Sequence, residues 1–289
     1  ELLLELRRSK PDGFHYTSAQ EMYLAYEAEL FQFDAAYRLF NEALLHLQGQ
    51  SVEVLAVLAS KIEDLYVNWY LYQLGLTWDG LLVKEQLLDN WQLGLPSQHR
   101  FYDTVIKQRF AQSGVKRQFV IISDALRYEV AQELIGVLAK RKHIAHLNLG
   151  IAMLPSETKF CKPALLPHRE LRLYGEENGT QNMGVDNKIL DSTAKRTEQV
   201  DSYRSGAICV DYEVVGKYDQ DKNREIFKHP LVYVMHNTID KKSHGATAKE
   251  VADSCRDAIN ELDDLVHKIH ETYNVTEVYI TSDHGFLFN

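Results

Sequence analysis

At 289 residues the chain is long enough for one large domain or two ordinary ones. Its 45% hydrophobic and 25% charged residues are those of a globular protein and exclude a disordered one. A formal charge of -9 argues against a general nucleic-acid-coating role, but not against phosphate chemistry, because metals would carry positive charge locally. No run of about 18 apolar residues occurs, so no membrane span is expected. The start, ELLLELRRSK, has neither an initiator Met nor a signal-peptide cleavage site, and the end, FLFN, follows directly on a motif. Both are expected of a fragment of a longer protein. Cys161, Cys209 and Cys255 are widely spaced and form no CxxC pair, so neither a disulfide framework nor a zinc knuckle is expected; reduced thiols fit the cytoplasm.

Residues 1–115 read as an α-helical region. Apolar residues recur at helical spacing in FDAAYRLFNEALLHL and VEVLAVLASKIEDLYVNWYLYQL, with Asp34 as a candidate cap and Gly75, Gly80 and Gly94-Leu95-Pro96 as punctuation. A bundle or docking arm is the expectation, without catalytic residues.

From Gln118 the pattern changes. QFVIIS (118–123) is a short β-branched run, as in a strand buried on both faces, and Asp124 follows it. A helix carrying Leu126, Val130, Leu134 and Leu138 comes next, and then a second strand candidate at about 147–153 that leads into LPSET. Residues 168–228 are polar and irregular, the profile of a cap or insertion. LVYVM (231–235) is a third strand. Thr247-Ala-Lys-Glu250 is a capping box opening a helix with Val251, Cys255, Ala258, Leu262, Leu265 and Ile269 on one face. EVYITS (277–282) is the fourth strand and ends at Asp283. Strands alternating with helices predict an α/β core over 116–289 with a mostly parallel sheet flanked by helices.

Such sheets bind ligands beyond the carboxyl ends of their strands. Asp124, Asp240 and Asp283 lie at or just past such ends, accompanied by His244 and His284. Asp and His together suit zinc or manganese, and Gly245 and Gly285 would let the backbone turn closely around an ion. Ser156 and Thr158 follow Pro155 at another strand end. Each piece has a plainer alternative: Asp124 as a helix cap, Asp240-x-x-x-His244 as chance among 12 histidines, Asp283-His284-Gly285 as a turn. Their joint placement is what carries weight.

The order Asp124, Pro155-Ser156-Glu157-Thr158, Asp240-x-x-x-His244, Asp283-His284-Gly285 resembles the alkaline phosphatase superfamily. VIISDALRYE, MLPSETKF, VMHNTIDKKSHG and YITSDHGF are closer still to the PglZ proteins of bacterial BREX phage-defence systems. The resemblance runs from about Tyr102 to the end of the chain. It implies two divalent ions, zinc first and manganese or magnesium as alternatives. One would be held by Asp124, Asp283, His284 and the nucleophile Thr158. The other would take Asp240, His244 and a third histidine that in the family lies further downstream, past Asn289.

Threonine is a poor nucleophile at neutral pH unless a metal lowers its pKa. Asn237, Arg127 and Lys159 are candidates to bind the phosphoryl group, against turn or solvated-surface roles. The basic cluster of Lys159, Lys162, His168, Arg169 and Arg172 could follow a nucleic-acid backbone or be a solvated face. The resemblance thus implies a metal-dependent phosphoesterase, a phosphodiesterase or nuclease before a phosphomonoesterase. The alternative is a catalytically silent module that docks other BREX proteins.

Overall fold

The computed structural model describes residues 1–47, 52–112, 114–175, 179–216, 220–275 and 277–288. The chain divides into two compact units. One comprises Glu1–Leu95, Lys242–Arg256 and Leu287–Asn289; the other comprises Pro96–Lys241 and Asp257–Phe286.

The first unit is helical. Its helices Leu2–Ser9, Ala19–Ala25, Phe31–His46, Val52–Glu63 and Tyr72–Lys84 are joined in part by π-helical turns at Tyr26–Leu30 and Asp64–Leu71. An aromatic core holds them: Tyr37 stacks on Tyr66 at 3.8 Å, Tyr66 on Tyr70 at 5.5 Å, and Phe33 lies 5.6 Å from Tyr70. Asp34 is not a cap. It sits inside the helix Phe31–His46, buried, where its carboxylate accepts from the Tyr26 and Tyr66 hydroxyls, both at 2.5 Å. A buried carboxylate needs such donors, and the two tyrosines are among those that meet it. The Thr247–Glu250 capping box forms as expected: Glu250 accepts from the Thr247 N–H at 2.8 Å, and the Glu250 N–H donates to the Thr247 hydroxyl at 3.4 Å.

The second unit is α/β. Its strands are β1 (Gln118–Ser123), β2 (Leu171–Gly175), β3 (Gln181–Val185), β4 (Lys188–Ile189), β5 (Ile208–Asp211), β6 (Leu231–His236) and β7 (Val278–Thr281). A parallel sheet runs in the order β5-β6-β1-β7, and β2, β3 and β4 form a separate antiparallel sheet. β1 and β6 are buried at every residue because they are central strands covered on both faces. Alternate side chains serve opposite faces. Val120 and Ile122 join Ile106, Leu165, Leu166 and Tyr233 in one core. Phe119 instead stacks on Phe227 at 4.8 Å, which stacks on Tyr273 at 4.0 Å. Each such buried side chain contributes roughly 1.5–3 kcal/mol.

Two expectations change. Residues 147–153 form no strand; Ile151 makes a single bridge to Ser97, closed by bonds of 2.9 and 2.8 Å to Gln98 and Pro96. That apolar run is coil stitched to a preceding loop. The stretch 168–228 is more ordered than its polarity suggests; its residues 176–178 and 217–219 lie outside the described ones. It holds the antiparallel sheet, the helix Thr193–Tyr203 and β5, the edge strand of the main sheet. Polar composition there reflects half-exposed elements. Asp186 ties them together, accepting from the Arg169 and Glu170 N–H groups at 2.9 and 3.0 Å, from Gln199 at 2.9 Å and from Tyr203 at 2.5 Å. Among the described residues no helix is long and apolar enough to cross a membrane. All three cysteines are buried and unpaired to one another.

Candidate metal centre

The parallel register brings the carboxyl ends of β1, β6 and β7 to one edge, with Ser123 opposite His236 and Ile122 opposite Thr281. Asp124 leaves β1 with its N–H donating to the His236 carbonyl at 2.7 Å. Ala125 then turns through φ +61° and donates its N–H to Asp283 Oδ1 at 3.2 Å. A left-handed non-glycine residue is strained and persists where surrounding bonds hold it, and here the turn closes Asp124 onto Asp283.

Asp124, Asp283 and His284 each offer a ligand atom, and those atoms lie within 4.8 Å of one another. The Thr158 hydroxyl is 2.8 Å from His284 Nε2 and 3.2 Å from Asp124 Oδ1. Asp283 is fully buried; its Oδ1 also accepts the His284 N–H at 2.9 Å, while among the described residues its Oδ2 accepts no hydrogen bond. A buried carboxylate oxygen that accepts no hydrogen bond, beside a histidine and a second carboxylate and with the Lys162 ammonium no nearer than 4.0 Å, is an environment that a cation relieves. His284 Nδ1 lies 2.7 Å from the Gly285 carbonyl. That contact requires the proton on Nδ1 and leaves Nε2 as the ring atom facing the cluster. The donor set of two carboxylates, an imidazole and a hydroxyl therefore fits zinc or manganese.

The electrostatics agree. Burial pushes the Asp124 carboxyl up, but the His284 bond and the Lys162 charge outweigh it and hold Asp124 well below the usual carboxylate range. Burial and then the charge of Asp124 push Asp283 up. Burial lowers His284, but its bond to Asp124 and the charge of Asp283 prevail and bring it to about 9. Like charges crowded in one site divide in this manner, and a bound cation would reverse the burden on Asp283 and expel the His284 proton.

The other predicted residues lie as follows. Asp240 is half-buried in the helix Thr238–Ser243, and His244 is exposed beside Gly245, in a recess that includes Lys242, Glu250 and Asp253. Asn237 follows β6, with its carbonyl accepting the Lys241 N–H at 3.0 Å. Arg127 is buried, at the N-cap position of the helix Tyr128–Lys140 with its guanidinium 5.1 Å from the Phe286 ring, and so is not a solvated surface residue. Lys159 is exposed and pairs with Glu157 at 3.3 Å, as a solvated residue would. Ser156 is exposed as well.

Three positions that the structure places around the cluster were not singled out in the sequence. Lys162, read there as one of a basic cluster, is buried with its ammonium on Asp124 Oδ2 and 4.0 Å from Asp283 Oδ2. Its spacing from Thr158 was the available signal, since residues i and i+4 share a helix face. Gln98 bonds the Ser282 and Asp283 carbonyls at 2.9 and 2.5 Å and accepts the Met153 N–H at 3.1 Å. His236 lies between Ser123 Oγ and Glu261 Oε2, both at 2.9 Å. Nothing local in the sequence marks these last two, because their partners are remote along the chain.

Residues 101–289 match the model of the BREX system PglZ alkaline phosphatase-like domain. The chain belongs to the PglZ family. It is 38% identical over 291 aligned residues to the alkaline phosphatase-like protein BrxZ of Escherichia coli O9:H4 (strain HS), covering 100% of this chain and 33% of that protein. It is 31% identical over 273 residues to the alkaline phosphatase-like protein PglZ of Bacillus cereus (strain H3081.97), covering 93% of this chain and 31% of that protein. This PglZ chain thus spans about a third of the length of the curated relatives it matches.

Proposed function

We propose that this chain carries the active centre of a metal-dependent phosphoesterase of BREX phage defence, acting on phosphodiesters, with Thr158 as nucleophile. The observation that carries the reading is the Thr158 hydroxyl, 2.8 Å from His284 Nε2 and 3.2 Å from Asp124 Oδ1, inside the three-donor cluster. Asp124, Asp283 and His284 would hold a divalent ion, zinc before manganese or magnesium. When bound, that ion supplies positive charge that favours the threonine alkoxide and offsets charge on the phosphoryl oxygens.

The chain's own residues do the rest. The short helix Thr158–Ala164, anchored by buried Phe160, Cys161 and Ala164, fixes the hydroxyl at the sheet edge. The Thr158 hydroxyl loses its proton to water, and Oγ forms a bond to phosphorus while the ester oxygen leaves with the bonding pair. A phosphothreonine results, and water later cleaves it. Gln98 holds the backbone of Ser282 and Asp283, and so the height of the carboxylate. Asn237 and Arg127 are the polar groups proposed to meet the substrate.

The test is turnover of bis(p-nitrophenyl) phosphate against p-nitrophenyl phosphate, with zinc or manganese, in the chain and in Thr158→Ala. Diester turnover that Thr158→Ala loses while retaining the metal supports the reading. Bound metal with no turnover of any phosphoester would sink it and favour a silent docking module.

A further inference from the structure

The turn that follows β6 is held from both sides. Residues 231–239 are buried at every position except Asn237, which is half-buried. Its two neighbours, His236 and Thr238, reach one carboxylate: Glu261 Oε2 lies 2.9 Å from His236 Nε2 and accepts the Thr238 hydroxyl. A carboxylate only accepts, so His236 Nε2 carries a proton, and in the neutral ring Nδ1 then accepts the Ser123 hydroxyl at 2.9 Å. The His236 carbonyl in turn takes the Asp124 N–H at 2.7 Å. Ser123 pairs with His236 across the two strands, so Asp124 and Asn237 are the next residues along, at the same sheet edge. Among the described residues the Asn237 carboxamide makes no hydrogen bond, while its main-chain carbonyl accepts the Lys241 N–H.

We infer that Glu261 is a positioning residue: by clamping His236 and Thr238 it fixes the backbone between them and presents the Asn237 carboxamide as a donor to a phosphoryl oxygen. This rests on the reading of the centre as a phosphoesterase whose substrate meets Asn237. A donor aimed at an oxygen on which charge develops accelerates a reaction when its direction is already held, because turning it during the reaction costs free energy. An asparagine in a turn otherwise tends to bond its own backbone. Here both neighbours turn inward to Glu261, and Asn237 is left as the one partly exposed side chain of the stretch, with its carboxamide unused. Glu261 acts through Asn237 and touches no substrate.

The test is a double-variant cycle on kcat/KM for bis(p-nitrophenyl) phosphate with manganese, metal content being measured alongside. Asn237→Ala is expected to lose about 100-fold, and Glu261→Ala about tenfold, both with metal content unchanged. The double variant is expected to lose no more than Asn237→Ala alone, because the clamp then has nothing to aim. Glu261→Gln, whose amide oxygen can still accept both bonds, is expected to retain most of the activity. Thr238→Val cuts one arm of the clamp and carries the same cycle should Glu261→Ala fail to fold. Losses that multiply in the double variants overturn the inference, as does full activity in Asn237→Ala or in Glu261→Ala. An unaltered chain that turns over no phosphoester overturns the functional reading and the inference together, which separates that failure from the others.

Discussion

Thr158 and Lys162, one helical turn apart, both bond Asp124, the hydroxyl through Oδ1 at 3.2 Å and the ammonium through Oδ2. One carboxylate therefore sets the position of both the proposed nucleophile and its neighbouring cation. The helix Thr158–Ala164 is too short to be stable by itself. Its contacts to Asp124 and its buried apolar side hold it in register with the sheet.

Thr158→Ala removes the proposed nucleophile but none of the three side chains Asp124, Asp283 and His284 that could hold an ion. Turnover of bis(p-nitrophenyl) phosphate is expected to fall about 10³-fold or more, with metal content unchanged. Turnover within tenfold of the original would assign the nucleophile elsewhere.

Asp283→Asn has opposite expected effects on metal and on fold. Ion affinity drops by about 100-fold or more, since a charged ligand is lost. The ion-free chain, in contrast, becomes more stable. The Asp283 carboxyl is raised by burial and by Asp124, so its folded form favours the proton. Its contribution is fully present below the unfolded value and is lost as pH rises through the folded one. In EDTA, Asn is expected to gain about 1–2 kcal/mol at pH 8 and less at pH 5, read by thermal melts. A loss of stability at pH 8 would contradict this.

Asp186 gives an acid limit. Burial raises its carboxyl, but the bonds from Tyr203, Arg169, Gln199 and Glu170 outweigh it and hold it at about 2. A depressed carboxylate stabilises above its unfolded value, about 3.9, and loses that contribution as pH falls through the folded one. Stability should decline between about pH 4 and pH 2, and Asp186→Asn should flatten that part of the profile. Circular dichroism against pH decides it, and an unchanged slope in the variant counts against the assignment.

Gln98→Leu keeps the volume and deletes the bonds to Ser282, Asp283 and Met153. Chemical denaturation is expected to show a cost of about 2–3 kcal/mol, because buried carbonyls lose their donor. Ion affinity should fall along with it, as the Asp283 backbone is released. Loss of stability with unchanged affinity would leave Gln98 a purely structural residue.

The sequence by itself determined the core strands and the cluster that leaves them. QFVIIS, LVYVM and EVYITS are short β-branched runs between turn signals, and that pattern does not depend on partners. Asp124, Asp283 and His284 were legible because a parallel sheet must deliver its strand ends to one edge. The Thr247–Glu250 capping box is local chemistry and was equally readable.

The tertiary structure decided what depends on distant partners. β5 is a half-exposed edge strand that its composition hides, and residues 147–153 look like a strand but make an isolated bridge, Ile151 to Ser97. Asp34 reads as a cap until Tyr26 and Tyr66 are seen to meet it. Lys162 reads as a surface charge until Asp124 draws it inside. In each case the residue type is visible in the sequence. Its role follows from which groups, far along the chain, share its low-dielectric surroundings and must satisfy it there.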